Sequence, residues 1–197
     1  MKYGIDVSEN NGVIDWEDVR ESGIDFVIVR SSYGKTGTDE QFLANVNGAH
    51  AAGLQVGAYH YSYALTPEDA VKEALHCREV IENAGVLLEL PVWFDMEDAD
   101  GYKVRHGFDF STDNITAICR EFLNHIQLDC GVYASESWLV NSIDWQGLGC
   151  AVWNAAWLNG ENPDPESRNC DGIRGMMWQY TDKRIIAGRY FDGNVIY

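Results

Sequence analysis

The sequence predicts an α/β fold, a small and irregular (β/α)8-type barrel, on three observations. Short β-branched or aromatic runs recur along the chain: YGIDV, DFVIVRSS, QVGAYHYSY, LPVWFDME, CGVYAS, CAVWNAAW, GMMWQYT and YFDGNVIY. Helical segments with readable caps lie between the early runs, and alternating strands and helices imply parallel strands joined by crossover helices. Eight such strands fit within 197 residues, a length expected to form one domain, 1–197, with ample core. An open doubly wound sheet is the alternative.

The helices follow from spacing and end signals. DEQFLANVNGAHAAG places Phe42, Val46 and Ala49 on one face, with acids in its first turn and Gly53 as its stop. TPEDAVKEALHCREVIENAG has Thr66 as N-cap, Pro67 at the first helical position and Gly85 at its end. Its spacing turns Val71, Ala74, Leu75, Arg78 and Ile81 inward. STDNITAICREFLNHI repeats the scheme with Ile115, Ile118, Phe122 and Ile126. After about residue 143 the helical signals fade, so loops are expected to join the closing strands.

Composition excludes several classes of function. Asp and Glu number 31 against 14 Lys and Arg, a net charge of −17. Nucleic acid is therefore not an expected partner, since its binding needs a basic surface. An anionic membrane surface is excluded on the same ground, and no apolar run approaches the ~18 residues of a membrane span. Cys77, Cys119, Cys130, Cys150 and Cys170 are odd in number and widely spaced without a CxxC, which reads as buried thiols in a reducing compartment. The start, MKYGIDVSEN, carries no apolar signal stretch, so synthesis in the cytoplasm is expected. A monomer without cofactor or metal is expected.

The chemistry lies in the acids. PVWFDMED places Asp95 and Glu97 two residues apart at the end of a strand, on one face, with Cα atoms roughly 6.6 Å apart. Parity turns Asp98 away. Asp6 ends the first strand and Asp192 lies in the last, and these strands are neighbours in a closed barrel. Four carboxylates meeting at one rim would push at least one pKa up, as a general acid for glycosidic cleavage requires. Other polar residues fall near the carboxyl ends of strands, where parallel barrels build their sites: Arg30, Tyr61, Tyr133, Asn154 with Trp157, and Gln179 with Tyr180. A calcium or magnesium site made of the same acids is the alternative, although no acid-rich loop has calcium spacing. GxSxG, HExxH and GxGxxG are absent, and Gly34-Lys35-Thr36 lacks the earlier glycine of a phosphate loop, which is Val29. His76 and Cys77 are helix neighbours that point apart, which leaves a packed thiol.

GIDVSENNG, FVIVRSSYG, GAYHYSY, PVWFDMED, GVYAS, VWNAAW, MWQYTD and FDGN together resemble glycoside hydrolase family 25, the muramidases (lysozymes) of phages and bacteria. The resemblance covers nearly the whole chain. It implies an irregular, flattened TIM-like (β/α) barrel with eight strands and fewer helices, forming a single catalytic domain. It also implies cleavage of the bond from N-acetylmuramic acid to N-acetylglucosamine in the glycan strands of peptidoglycan. In that resemblance Glu97 matches the proton donor and Asp95 the acid that orients and charge-balances the 2-acetamido group. Asp6 and Asp192 match supporting carboxylates, with Asp182 as the alternative to Asp192, and Tyr61 and Tyr133 match aromatic positions lining the sugar site. The expected mechanism is retention with acetamido participation, and an inverting route is the alternative. A non-catalytic glycan-binding module and a chitinase-like enzyme are the other functional readings.

Overall fold

Every predicted strand run forms a strand, and one short strand adds to them. The computed structural model describes residues 1–167 and 175–197. Its strands are β1 (Lys2–Val7), β2 (Phe26–Tyr33), β3 (Gly37–Thr38), β4 (Gln55–Tyr61), β5 (Val92–Asp95), β6 (Cys130–Ser135), β7 (Ala151–Ala155), β8 (Met177–Ile186) and β9 (Arg189–Ile196). They are ordered β1-β9-β8-β7-β6-β5-β4-β2-β3, and pairing of β1 with β2 closes the sheet into an eight-stranded barrel, with β3 appended to β2.

One expectation about direction needs correcting. From β1 through β2 and β4 to β8 the barrel pairs are parallel, but β9 runs antiparallel to both β8 and β1. The physical reason is the connection between β8 and β9. Only Ala187 and Gly188 separate the two strands, both at positive φ (47° and 77°). A turn of two residues makes a hairpin, whereas a parallel crossover needs a dozen or more.

Strand alternation sorts the side chains into two layers. Phe26, Ile28, Trp93, Tyr133, Trp153 and Met177 fill the barrel interior. Val27, Val29, Val56, Ala58, Phe94, Val132 and Val152 pack outward against the helices. Because both faces are covered, these strands read as near-continuous apolar runs. Trp93 and Tyr133 both meet Trp153 edge-on, at centroid distances of 5.8 and 4.5 Å. Gly131 makes room for this group, since a Cβ there would lie 2.5 Å from the Trp93 ring and 2.6 Å from the Ala151 carbonyl oxygen.

The helices are α1 (Trp16–Glu21), α2 (Phe42–Ala51), α3 (Pro67–Ala84), α4 (Tyr102–Arg105), α5 (Thr112–Ile126), α6 (Glu136–Asn141) and α7 (Trp145–Leu148). No described helix is long and apolar enough to cross a membrane. α3 begins and ends where its caps predict: Thr66 Oγ1 accepts from Asp69 N at 3.3 Å, and Gly85 adopts the left-handed conformation. Ile115, Ile118, Phe122 and Ile126 of α5 are all buried. The buried stripe of α3, however, is Ala70, Glu73, Ala74, Cys77 and Ile81, whereas Leu75 is 43 % exposed. Glu73 turns the stripe, because Ser62 Oγ and Tyr63 N donate to its carboxylate at 2.8 and 2.9 Å and make its burial tolerable. In α2, Phe42, Val46 and Ala49 are buried as predicted, but the first turn holds no acid. Asp39 instead lies buried before the helix, where it accepts from Arg30 Nε at 2.8 Å. Cys77 and Cys119 are buried free thiols, Cys130 and Cys150 are half-buried ones, and Cys170 lies outside the described residues.

Gly131→Ala is expected to overpack the interior at a cost of about 1–3 kcal/mol, with a Tm lower by several degrees. Calorimetry checks this, and an unchanged Tm would show that both the Trp93 ring and the Ala151 carbonyl give way.

Candidate active site

β5 delivers two acids to one place. Trp93 and Asp95 face the interior while Phe94 and Met96 face the helices. The ladder to β6 ends as Met96 N donates to Tyr133 O at 2.9 Å, so Glu97 leaves the strand still on the inner face. Across the barrel seam Asp6 of β1 pairs directly with Asp192 of β9. The chain leaving β1 is folded back locally: Ser8 N donates to Asn11 Oδ1 at 2.8 Å and Asn10 N to Ser8 Oγ at 3.2 Å. This turn brings Asn10 over the same opening.

The result is a cleft of about 280 Å³ at the rim where the parallel strands end. Asp6, Arg30, Tyr61, Asp95, Glu97, Tyr133, Trp157, Gln179 and Asp192 all line it, as the sequence predicts. Asn154 does not. It is wholly buried, and alternation along β7 turns it to the face opposite its neighbour Trp153, which lines the cleft instead. Asp182 is half-buried near Asp192 and outside the lining. Asp98 is turned away as predicted and caps α4, accepting from Lys103 N at 2.7 Å and Val104 N at 3.1 Å.

The floor is a continuous polar network. Asp6 Oδ2 accepts from Gln179 Nε2 at 2.9 Å and from Asn194 Nδ2 at 2.7 Å. Gln179 Oε1 in turn accepts from Tyr133 Oη at 3.0 Å and Trp157 Nε1 at 2.9 Å, and Asn194 Oδ1 accepts from Trp153 Nε1 at 2.9 Å. Such mutual support fixes the rotamers of the lining. Arg30 is held by Asp39 and by Glu9, to whose Oε1 its Nη2 donates at 3.0 Å.

Sequence reasoning missed Tyr59, Trp153, Asn194, Asn10 and Lys103. Three had a readable signal, because Tyr59 precedes Tyr61 by two residues, Asn194 follows Asp192 by two, and Trp153 is the inward neighbour of Asn154. Asn10 depends on the turn after β1. Lys103 carried no signal. It lies on a helix beyond the strand, is 1 % exposed, and donates through Nζ to the carbonyl oxygens of Glu97, at 2.7 Å, and Ser62.

The electrostatics are dominated by burial. Asp6 is held well above the usual carboxylate range by burial and then by the charge of Asp192. Asp192 is pushed up to about 6 by burial and by Asp182, while its hydrogen bond with Asp6 pulls it down. Both carboxyls of the pair are thus raised, chiefly by burial. Glu97 is raised to about 7, by burial first and then by Asp192, Asp100 and Asp98, against the opposing charge of Lys103. Burial and Glu97 also push Asp95 well above its ordinary value. Asp95 and Glu97 are thus both raised in the free cleft, chiefly by burial. Asp95 Oδ1 is buried and accepts no hydrogen bond from the described residues. Among the described residues no group of three or more His, Cys, Asp or Glu side chains is placed so as to hold a metal ion.

Known proteins resemble this chain in sequence and in fold. The chain is 28 % identical over 157 residues to the autolytic lysozyme of Clostridium acetobutylicum, covering 78 % of this chain and 44 % of that protein. It is 39 % identical over 59 residues to lysozyme M1 of Streptomyces globisporus, covering 30 % of this chain and 20 % of that one. The chain thus spans less than half the length of these curated relatives. Among solved structures it superposes on the modular autolysin LytC of Streptococcus pneumoniae, in complex with a synthetic peptidoglycan ligand, with a TM-score of 0.82 at 26 % identity. That match covers 100 % of this chain and 46 % of LytC. The bacterial lysozyme of Streptomyces coelicolor shares the fold, with a TM-score of 0.72 at 23 % identity over 99 % of this chain and 91 % of that one. Residues 5–189 match the glycosyl hydrolases family 25, and the chain belongs to that family.

Proposed function

We propose that this chain is an N-acetylmuramidase that hydrolyses the β-1,4 bond between N-acetylmuramic acid and N-acetylglucosamine in the glycan strands of bacterial cell walls. The observation that carries the reading is the pair Asp95 and Glu97, side by side in an aromatic-lined cleft with Glu97 raised to about 7. The names of its relatives, an autolytic lysozyme and an autolysin crystallised with a peptidoglycan ligand, support the choice of substrate.

In this mechanism protonated Glu97 gives its proton to the glycosidic oxygen as the bond to the anomeric carbon breaks. The carbonyl oxygen of the substrate's 2-acetamido group bonds to the same carbon and forms a cyclic cation. Glu97, now a carboxylate, takes a proton from water, which opens the ring with net retention. Asp95 must be ionised while that cation exists. The bound acetamido N–H supplies the donor that Asp95 Oδ1 lacks, and the developing cation favours the carboxylate further. Both effects oppose the burial that raises Asp95 in the free cleft, so substrate itself sorts the two acids. Asp6 and Asp192 support the site from the seam, and Tyr61, Tyr133 and Trp157 offer rings to the sugars.

Glu97→Gln is expected to slow the clearing of a cell-wall suspension by about 10²–10⁴, a general-acid contribution. A variant of undiminished rate sinks the assignment. The same substitution should raise stability at alkaline pH. The folded protein holds protons on Glu97 that the unfolded chain has already released, so wild-type stability falls as pH rises from about 4.5 through about 7. Thermal melts of the two proteins should coincide in acid and separate above neutrality, with the variant higher.

The alkaline limb of kcat/KM for wild type should lie near pH 7, where Glu97 loses its proton, and a rate flat well beyond it contradicts the role.

Mass spectrometry of the released fragments should find the new reducing end on N-acetylmuramic acid. A reducing N-acetylglucosamine would indicate the chitinase-like reading, and no release at all would indicate a binding module. NMR of the first product should show the β-anomer, and an initial α-anomer replaces the acetamido route by inversion.

A further inference from the structure

Lys103 sits in the one-turn helix α4 with its side chain wholly buried, a rare place for an ammonium without partners. It has partners just past the ends of two strands. Its Nζ donates to the carbonyl oxygens of Glu97, where the chain leaves β5, and of Ser62, where the chain leaves β4. Ser62 Oγ donates to buried Glu73 of α3, which also receives Tyr63 N and stands 3.4 Å from His60 Nε2. In return Asp98 grips the backbone of α4 through Lys103 N and Val104 N. The loop from Glu97 to Lys103 is thus closed twice, once by the side chain of Asp98 and once by that of Lys103.

We propose that Lys103 is a positioning residue for Glu97, fixing its backbone through the carbonyl oxygen and placing a positive charge beside the Asp95–Glu97 pair. The inference rests on the role given to Glu97 above. The groups facing Glu97 are Asp95 on its own strand, Tyr61 of β4, Tyr133 of β6, Asp192 of β9, Asp98 and Asp100 of the exit loop, and Lys103. Lys103 is the one cation in that set, and its charge lowers both Glu97 and Asp95. Burial draws the lysine itself down, while Glu73, Asp95, Asp98 and Glu97 push it back up. Arg30 also lowers Asp95, but Lys103 is the cation that acts on both acids, and without it both members of the pair would hold their protons to higher pH.

The test is the titration of the Glu97 carboxyl by carbon-13 NMR in the full chain labelled at glutamate, with the signal assigned by its loss in Glu97→Gln. In Lys103→Met the Glu97 midpoint should rise by about one pH unit, and the alkaline limb of wall clearing should rise with it. In Lys103→Arg, which keeps the charge, both should stay near the wild-type position. A folded Lys103→Met with an unmoved Glu97 midpoint overturns the proposal, because a merely structural lysine would alter stability alone. If Lys103→Met does not fold, nitrogen-15 NMR of the wild-type lysine decides: Lys103 must stay protonated through the Glu97 titration, and an ammonium lost before Glu97 ionises overturns the proposal. A wild-type chain that fails to clear walls would remove the proposed function, while the Glu97 midpoint would still answer for Lys103.

Discussion

The pairing of β9 with β1 is the contact on which the rest of the structure depends. It joins residues 2–6 to residues 192–196 and, together with the pairing of β1 to β2, turns an open sheet into a barrel. Without it, Phe26, Ile28, Trp93, Trp153 and Met177 would line an open face rather than a core. The same register sets Asp6 opposite Asp192 and brings Asn194 within 2.7 Å of Asp6. Closure and the acidic floor of the cleft are therefore one event, and a shift of one residue along this seam would point every one of these side chains the wrong way.

The cleft is electrostatically uncomfortable. Asp6, Asp95, Glu97 and Asp192 are all raised, chiefly by burial, in a chain already carrying a net charge of −17. A folded state that crowds such groups gives up stability at neutral and alkaline pH that an amide in place of Glu97 would return. Opposing the crowding are the N–H donors of Gln179 and Asn194 on Asp6, and the ammonium of Lys103 behind the exit of β5. The aromatic groups complete the site: Tyr133 and Trp157 are tied through Gln179 to Asp6, so the walls and the acids move together or not at all.

Features that depend on near neighbours in sequence are legible in it. The strands are short periodic runs, and Thr66, Pro67 and Gly85 bound α3 because capping depends on near neighbours in sequence. Parity alone placed Asp95 and Glu97 together and excluded Asp98. The differences arise where a polar side chain is buried away from the cleft. Glu73 is polar and wholly buried, so the inward stripe of α3 was set around Leu75, which faces solvent. Asn154 was chosen for its polarity at a strand end, although the apolar Trp153 beside it reaches the cleft. The Ala187–Gly188 hairpin was missed because the β8 pattern loses its apolar alternation at bulges after Gln179.

The sequence by itself determined the elements, their order, and which faces of β5 and α5 point inward, because propensity, capping and alternation act over a few residues. It also carried the acids in a spacing that left few chemistries open. Only the tertiary structure decided that β9 runs antiparallel, that burial raises Asp95 along with Glu97, and that Lys103 lies behind them. Those outcomes depend on which distant residues are brought together and how far water is kept out. Desolvation and charge–charge energy belong to the assembled cleft, and no short stretch of chain contains them.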